Sequence, residues 1–293
     1  MNDFTAPDWI ALHLGTETLR IWPMKDGRPD TVVACTSPPP PWETQAFDSA
    51  LGSLLDTWNL PPETPILGCG VFEAGRRNVP CKPLDAVPVP LPHSRFSALR
   101  VIPGVSQTQP PDLLGGAEIA IAGFLSLNGD WDGVICLPGA RSRWVQVSAG
   151  EIISFQSFLT GEMIALLAQS PGLRAALQGG DWEQSVFDDA LAQILSRPEK
   201  LAAGLASIEA EAQLDGINPT RARARLSGLL IGAELAAAKP YWLGQNIAIL
   251  GSSEASAPYR AALESQGVPA ILADHDRMLL EGLKQARRLA TGG

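Results

Sequence analysis

Two stretches of this chain set glycine, hydroxyl and basic residues at a break between apolar runs, and a backbone turn so placed can hold a phosphate or another small anion. The first is Ile10-Ala11-Leu12-His13-Leu14-Gly15-Thr16-Glu17-Thr18-Leu19-Arg20-Ile21-Trp22, which reads as strand, tight turn, strand. Gly15 lets backbone N–H groups come close to an anion, and the Thr16 hydroxyl adds a donor. The second, Gly133 to Val147, repeats the design, with Gly139, Ala140, Arg141, Ser142 and Arg143 at its turn. Arg141 and Arg143 can each grip phosphate or carboxylate through paired donors, or stand solvated at the turn. Two such hairpins roughly half a chain apart suggest two related lobes facing a shared cleft.

Residues 1–35 read as three strands, with a turn at Gly27, and the prolines from Pro38 to Pro41 make a stiff connector. Phe47, Leu51, Leu54, Leu55 and Trp58 recur at helical spacing, so a helix over 46–58 buries one face. Pro65 to Val71 is a short strand ending in glycines, the end of a strand where ligands sit in open α/β sheets. Glu73 and Arg76 follow it. A proline-rich stretch from Pro80 to Pro111 carries short strands over 86–89 and 100–102, and a helix is expected from Asp112 to Phe124. Glu118, Asp112 and Glu73 are the carboxylates of this part of the chain.

The second half continues with strands over 133–137, 143–148 and 151–155. Thr160 is placed to cap the next helix, with Glu162 in its first turn, and several helices fill 160–212. Asn218-Pro219 opens a helix that runs to about Lys239; within it Ser227, Gly228 and Gly232 suit close helix packing, and Glu234 is either buried with a partner or faces the cleft. Strands over 246–250 and 270–273 alternate with helices over 257–266 and 276–290, and Gly251-Ser252 forms the turn after the first of these strands.

The chain has 293 residues, 45% of them hydrophobic and 18% charged, enough for two cored domains, drawn at 1–128 and 129–293. A net charge of −9 argues against nucleic acid or an anionic membrane as main partner, since both select for clustered Lys and Arg. Cysteines 35, 69, 81 and 136 form no C-x-x-C pair, the start Met1-Asn2-Asp3 lacks a basic, apolar leader, and the longest apolar runs are too short to span a membrane. A cytoplasmic location is the expectation.

These motifs resemble the 2-dehydro-3-deoxygalactonokinases, sugar-acid kinases of the actin, hexokinase and Hsp70 superfamily, over nearly the whole chain. The family's first hairpin has the form Asp-x-Gly-Ser/Thr-x-x-x-Arg: Gly15, Thr16 and Arg20 match, and His13 stands at the aspartate position. Its second hairpin, Pro-Gly-Thr-His-x-Lys-Trp, is similar to Pro138-Gly139-Ala140-Arg141-Ser142-Arg143-Trp144. Thr160-Gly161-Glu162, Leu226 to Glu234 and Leu250-Gly251-Ser252-Ser253 match further motifs. The family's Arg-Gly-Glu-Glu-Thr-Gln is represented by Leu114-Gly115-Gly116-Ala117-Glu118-Ile119.

The resemblance implies an α/β, two-lobed ribonuclease H-like fold of the actin/hexokinase type, with an internal duplication and a central cleft. It implies transfer of the γ-phosphate of ATP, with Mg²⁺, to the 6-hydroxyl of 2-dehydro-3-deoxy-galactonate. His13 and Glu118 then fall at catalytic positions; Gly15, Thr16, Gly139, Arg141, Ser142, Arg143, Gly251 and Ser252 on the nucleotide; Glu73, Arg76, Thr160 and Glu162 on the sugar acid. No side chain is assigned as a direct metal ligand, and a homodimer is compatible with this reading. His13, Ala140 and Gly116-Ala117 stand where the family has aspartate, threonine and paired glutamates, so the alternative is a family member that keeps the fold for ligand binding or regulation without phosphotransfer.

Overall fold

The computed structural model describes residues 7–15, 18–29, 33–36, 44–56, 58, 60–70, 75–174, 177, 182–214 and 218–291. The chain divides into two compact units: residues 1–131 with 150–152 and 276–293, and residues 132–149 with 153–275.

In the first unit, β1 (Trp9–Leu14) pairs antiparallel with β2 (Thr18–Lys25), which turns through Asp26-Gly27 into the two-residue β3 (Arg28–Pro29). Both turn residues have positive φ, 50° and 72°, the geometry that matches a hairpin turn to the strand twist. The strand β4 (Val33–Thr36) also pairs with β2, and the helix α1 (Thr44–Asp56) follows. On the other side, β1 runs parallel to β5 (Ile66–Gly70). After β6 (Arg76–Asn78) and β7 (Val89–Pro90), β8 (Leu99–Val101) joins parallel to β5. Alternate residues Ile10, Leu12 and Leu14 share one core with Leu19, Ile21, Leu51, Leu55, Ile66 and Phe96, so α1 is held by its apolar face. Each of these fully buried side chains contributes about 1.5–3 kcal/mol.

The expected helix over Asp112–Phe124 is corrected. Residues Gly104–Thr108 and Pro111–Leu114 are the antiparallel strands β9 and β10, which form a small sheet with β6, and the helix α2 begins only at Ala117 and ends at Leu127. Gly116, with φ of 91°, breaks the chain between strand and helix in a conformation that side chains disfavour.

The second unit repeats the plan. The strand β11 (Gly133–Leu137) is antiparallel to β12 (Ser142–Ser148), which neighbours β13 (Glu151–Phe158). Helices α3 (Thr160–Gln169), α4 (Pro171–Arg174) and α5 (Gln184–Ser196) come next, then a short 3₁₀ turn, α6 (Leu201–Leu214), α7 (Pro219–Ala237) and α8 (Lys239–Trp242). The strand β14 (Ile247–Leu250) lies parallel to β11, and after α9 (Ser253–Glu264) the strand β15 (Ala270–Ala273) lies parallel to β14. In both units a hairpin's first strand is central, its second strand lies on one side, and two parallel strands extend the sheet on the other; the expected duplication is thus visible in strand order and sense.

Asn218 caps α7, its Oδ1 accepting from Thr220 N at 2.7 Å. Glycines 228 and 232 let α7 lie against α5, since a Cβ at Gly228 would sit 2.5 Å from Phe187 O. The helix expected over 257–266 starts earlier, at Ser253, because Ser252 caps it and accepts from Ala255 N at 3.2 Å. The closing helix α10 (His275–Thr291) groups from Asp276 onward with the first unit, not with the second as the boundary at 128 had placed it. A Cβ at Gly282 would lie 2.9 Å from the Ile119 carbonyl carbon, so α10 and α2 touch backbone to backbone. No described helix is long and apolar enough to cross a membrane.

Candidate functional site

In the first unit three backbones converge at the C-terminal end of β1. Gly70, ending β5 with φ of 130°, passes so close to Leu14 that a Cβ would come within 2.7 Å of its carbonyl carbon. Gly116, at the start of α2, would place a Cβ 2.8 Å from His13 Nε2 and 3.3 Å from Gly70 Cα. His13 therefore rests half-buried against bare backbone, and Gly15 follows one residue after the strand end. Arg20 is the cross-strand neighbour of His13 on β2, and its Nη1 donates to Asp276 Oδ1 at 2.6 Å; that carboxylate, on α10, is its partner.

Glu118 was expected at a catalytic position. It is fully buried, and its Oε1 accepts from Gly116 N at 3.0 Å, so that oxygen anchors the start of its own helix. Its charge, after burial, also pushes the Cys69 thiol up. Arg76 is exposed on β6 in the small sheet. Thr16 and Glu73 lie outside the described residues. At His13 an imidazole is no hard oxygen donor for magnesium, and the described carboxylates nearest this strand end are Asp276, which holds Arg20, and the buried Glu118.

In the second unit the hairpin turn Pro138–Arg141 is pinned from behind. Ser142, expected on phosphate, is fully buried and its hydroxyl donates to Glu234 Oε2 at 2.7 Å. Trp144 Nε1 donates to Glu234 Oε1 at 2.8 Å and the Tyr259 hydroxyl to Oε2 at 2.8 Å. Thr160 is not the cap of α3, which is Leu159; it is buried and its side chain also bonds Glu234. Ser142 and Thr160 thus serve an internal carboxylate, a correction to both expectations. Burial pushes the Glu234 carboxyl above its ordinary value, against the pull of these four donors.

The front of the same turn meets α3. Glu162 N donates to Ala140 O at 2.8 Å, the Glu162 carboxylate lies 3.7 Å from Arg141 Nε, and a Cβ on Gly161 would approach Gly139 carbon to 2.9 Å. Arg141 is about half exposed, and Arg143 Nη1 donates to Arg141 O at 3.1 Å. Gly251 packs on the other flank, where a Cβ would lie 3.5 Å from Pro138 Cδ. Gly139, Arg141, Gly161, Glu162 and Gly251 are therefore brought together around one turn.

Beside it opens a pocket of about 750 Å³ within the second unit, walled by α3, α5, α7 and α9 and lined mainly by apolar groups. Gly161, Ser227 and Ala257 line it, with Arg223, Glu254 and Arg260 as its charged groups. The size and the few polar groups in an apolar wall suit a small organic ligand. Arg223, Glu254, Ala257 and Arg260 were not foreseen; the signal for Arg223 was an arginine on the polar side of an otherwise packed helix.

The family model described as 2-keto-3-deoxy-galactonokinase matches residues 9–286. A protein of Rhizobium meliloti (strain 1021), provisionally named 2-dehydro-3-deoxygalactonokinase DgoK1, is 29% identical over 97% of this chain and 98% of its own length. The 2-dehydro-3-deoxygalactonokinase of Escherichia coli (strain K12) is 27% identical over 63% of each chain. A crystal structure from Sinorhizobium meliloti, with the same provisional assignment, has a TM-score of 0.86 at 27% identity and covers 96% of both chains. On the extent of these matches, the chain belongs to the 2-keto-3-deoxy-galactonokinase family.

Proposed function

We propose that this protein is an ATP-dependent sugar-acid kinase that transfers a phosphoryl group to the 6-hydroxyl of 2-dehydro-3-deoxy-galactonate. The observation that carries this reading beyond family membership is the pocket of the second unit, which opens next to the Gly139 and Gly251 turns. Its apolar wall suits a purine face, and Arg223, Arg260 and Glu254 suit the polar edge of a nucleoside. Gly139 and Gly251 then approach the phosphates through bare backbone, with Arg141 as the nearest cation of the turn. When bound, ATP supplies the activated phosphoryl group; this chain's part is to place it and to exclude water.

His13, at the position where the resemblance has aspartate, favours a second reading, because an imidazole is no hard oxygen donor for a cation. In that reading the protein binds its ligands without phosphotransfer. The test is ADP formation from ATP and Mg²⁺ with 2-dehydro-3-deoxy-D-galactonate, run on the natural chain and on His13→Asp, with nucleotide binding followed by calorimetry. Substrate-dependent ADP formation by the natural chain is the expected result. Activity confined to His13→Asp would place the defect at His13 and favour the second reading, and absence of both activity and nucleotide binding would overturn the kinase assignment.

A further inference from the structure

Glu234 is a carboxylate that the proposed reaction does not use, buried on α7 with 3% of its surface exposed. Four side-chain donors meet it: Ser142 and Tyr259 on Oε2, Trp144 on Oε1, and Thr160. They fill the roughly four acceptor sites a carboxylate has, so Glu234 has no lone pair left to take a substrate proton. Nor does stability alone account for it, since burying a charge costs more than packing an apolar side chain of similar size in the same place.

The neighbours of its partners give the reason. Ser142 follows Arg141 at the hairpin turn, and Thr160 precedes Gly161, which both lines the pocket and touches Gly139. Tyr259 stands between Pro258 and Arg260, both on the pocket wall, and Ser227 lines the pocket two turns before Glu234 on α7. One carboxylate therefore ties β12, α3, α7 and α9 at the points where each presents backbone or side chain to the pocket and the turn. We infer that Glu234 is a positioning residue of the nucleotide site, setting the Gly139–Arg141 turn in register with the helices that wall the pocket. This rests on the proposed ATP site and names the device that holds it.

The experiment compares the full natural chain with Glu234→Gln, Tyr259→Phe and the double variant. ATP affinity is read by calorimetry and by KM, alongside the sugar-acid KM and the melting temperature. In Glu234→Gln the amide keeps the shape and the hydroxyls of Ser142 and Tyr259 can turn to accept, so the fold is expected to survive. ATP binding should weaken about tenfold, as for one disturbed charge-assisted hydrogen bond. The sugar-acid KM should stay within about twofold, and the double variant should fall short of the product of the singles. ATP affinity within about twofold of the natural chain, or ATP and sugar-acid constants worsening together with a large drop in melting temperature, would overturn the inference. If Glu234→Gln does not fold, Tyr259→Phe and Ser142→Ala carry the same comparison. A natural chain that binds no nucleotide fails the kinase reading itself and takes this inference with it, whereas normal ATP binding unchanged in the variants fails the inference alone.

Discussion

Replacing Gly161 with alanine tests whether α3 sets the second hairpin turn. The added Cβ would stand 2.9 Å from the Gly139 carbonyl carbon and 3.0 Å from Ala140 Cα, where ordinary contacts lie at 3.4–4 Å. The obstacle is backbone, so the turn must retreat by roughly 0.5–1 Å. The Glu162 N to Ala140 O bond, 2.8 Å in the natural chain, then stretches to the edge of hydrogen-bond range. Strain of about 1–3 kcal/mol is partly offset by the roughly 1 kcal/mol that alanine gains over glycine in a helix. The net change of about 0–2 kcal/mol corresponds to a drop of at most about 8 °C in melting temperature for a unit of this size. The effect on phosphoryl transfer should be far larger, because a misplacement of about 1 Å can cost up to ~10²-fold. A coupled ADP-release assay should show kcat/KM down by roughly 10- to 100-fold, with melting followed by circular dichroism. A value within about twofold of the natural chain would mean that the turn takes no part in placing the nucleotide, and a collapse of the fold would mean that the turn is part of the core.

Ala257 is exposed on the pocket wall, so Ala257→Trp should obstruct nucleotide binding by about tenfold or more in calorimetry while leaving the melting temperature nearly unchanged; unaltered affinity would empty the pocket of its role. Gly282→Ala puts a Cβ 2.8 Å from Ile119 Cγ2 and 2.9 Å from the Ile119 carbonyl carbon, and should cost about 1–3 kcal/mol in urea unfolding as α2 and α10 are forced apart. The Glu234 carboxyl, raised by burial above its ordinary value of 4.5, holds its proton more tightly folded than unfolded. Its contribution to stability is present in full below 4.5 and declines as pH rises toward the folded value, so the natural chain should lose stability relative to Glu234→Gln over that window. A difference between the two that does not change with pH would contradict this.

Much of the fold was legible because its hydrophobic periods are clean. Alternation in Ile10, Leu12 and Leu14 and helical spacing at Leu51 and Leu55 mark faces that share one core. The stretch from Gly104 to Gly116 was misread because Leu113 and Leu114 continue the apolar run of α2, so composition does not mark where strand gives way to helix. What divides them is backbone: β10 pairs with β9, and Gly116 turns at positive φ. The same limit applies at Ser142 and Thr160. Their motif positions place them at the hairpin and at a helix start, yet the direction of each hydroxyl depends on a carboxylate 92 residues beyond Ser142, which no local pattern reveals.

The two units share a strand plan but not a chemistry, and this bears on how the activity should be sought. In the second unit the hairpin keeps its glycine turn, its arginines and a carboxylate network behind it, beside a pocket of useful size. In the first unit the corresponding hairpin carries His13, packed on Gly116, next to an arginine already committed to Asp276. On the proposed reading, nucleotide binding draws mainly on the groups that the second unit retains, whereas phosphoryl transfer also needs the charge balance that His13 alters. Binding should therefore be robust to changes at His13 and sensitive to changes at Gly161, Ala257 and Glu234, while turnover should respond to both sets. Measuring both quantities on the same variants separates a site that fails to hold ATP from one that holds it without reacting.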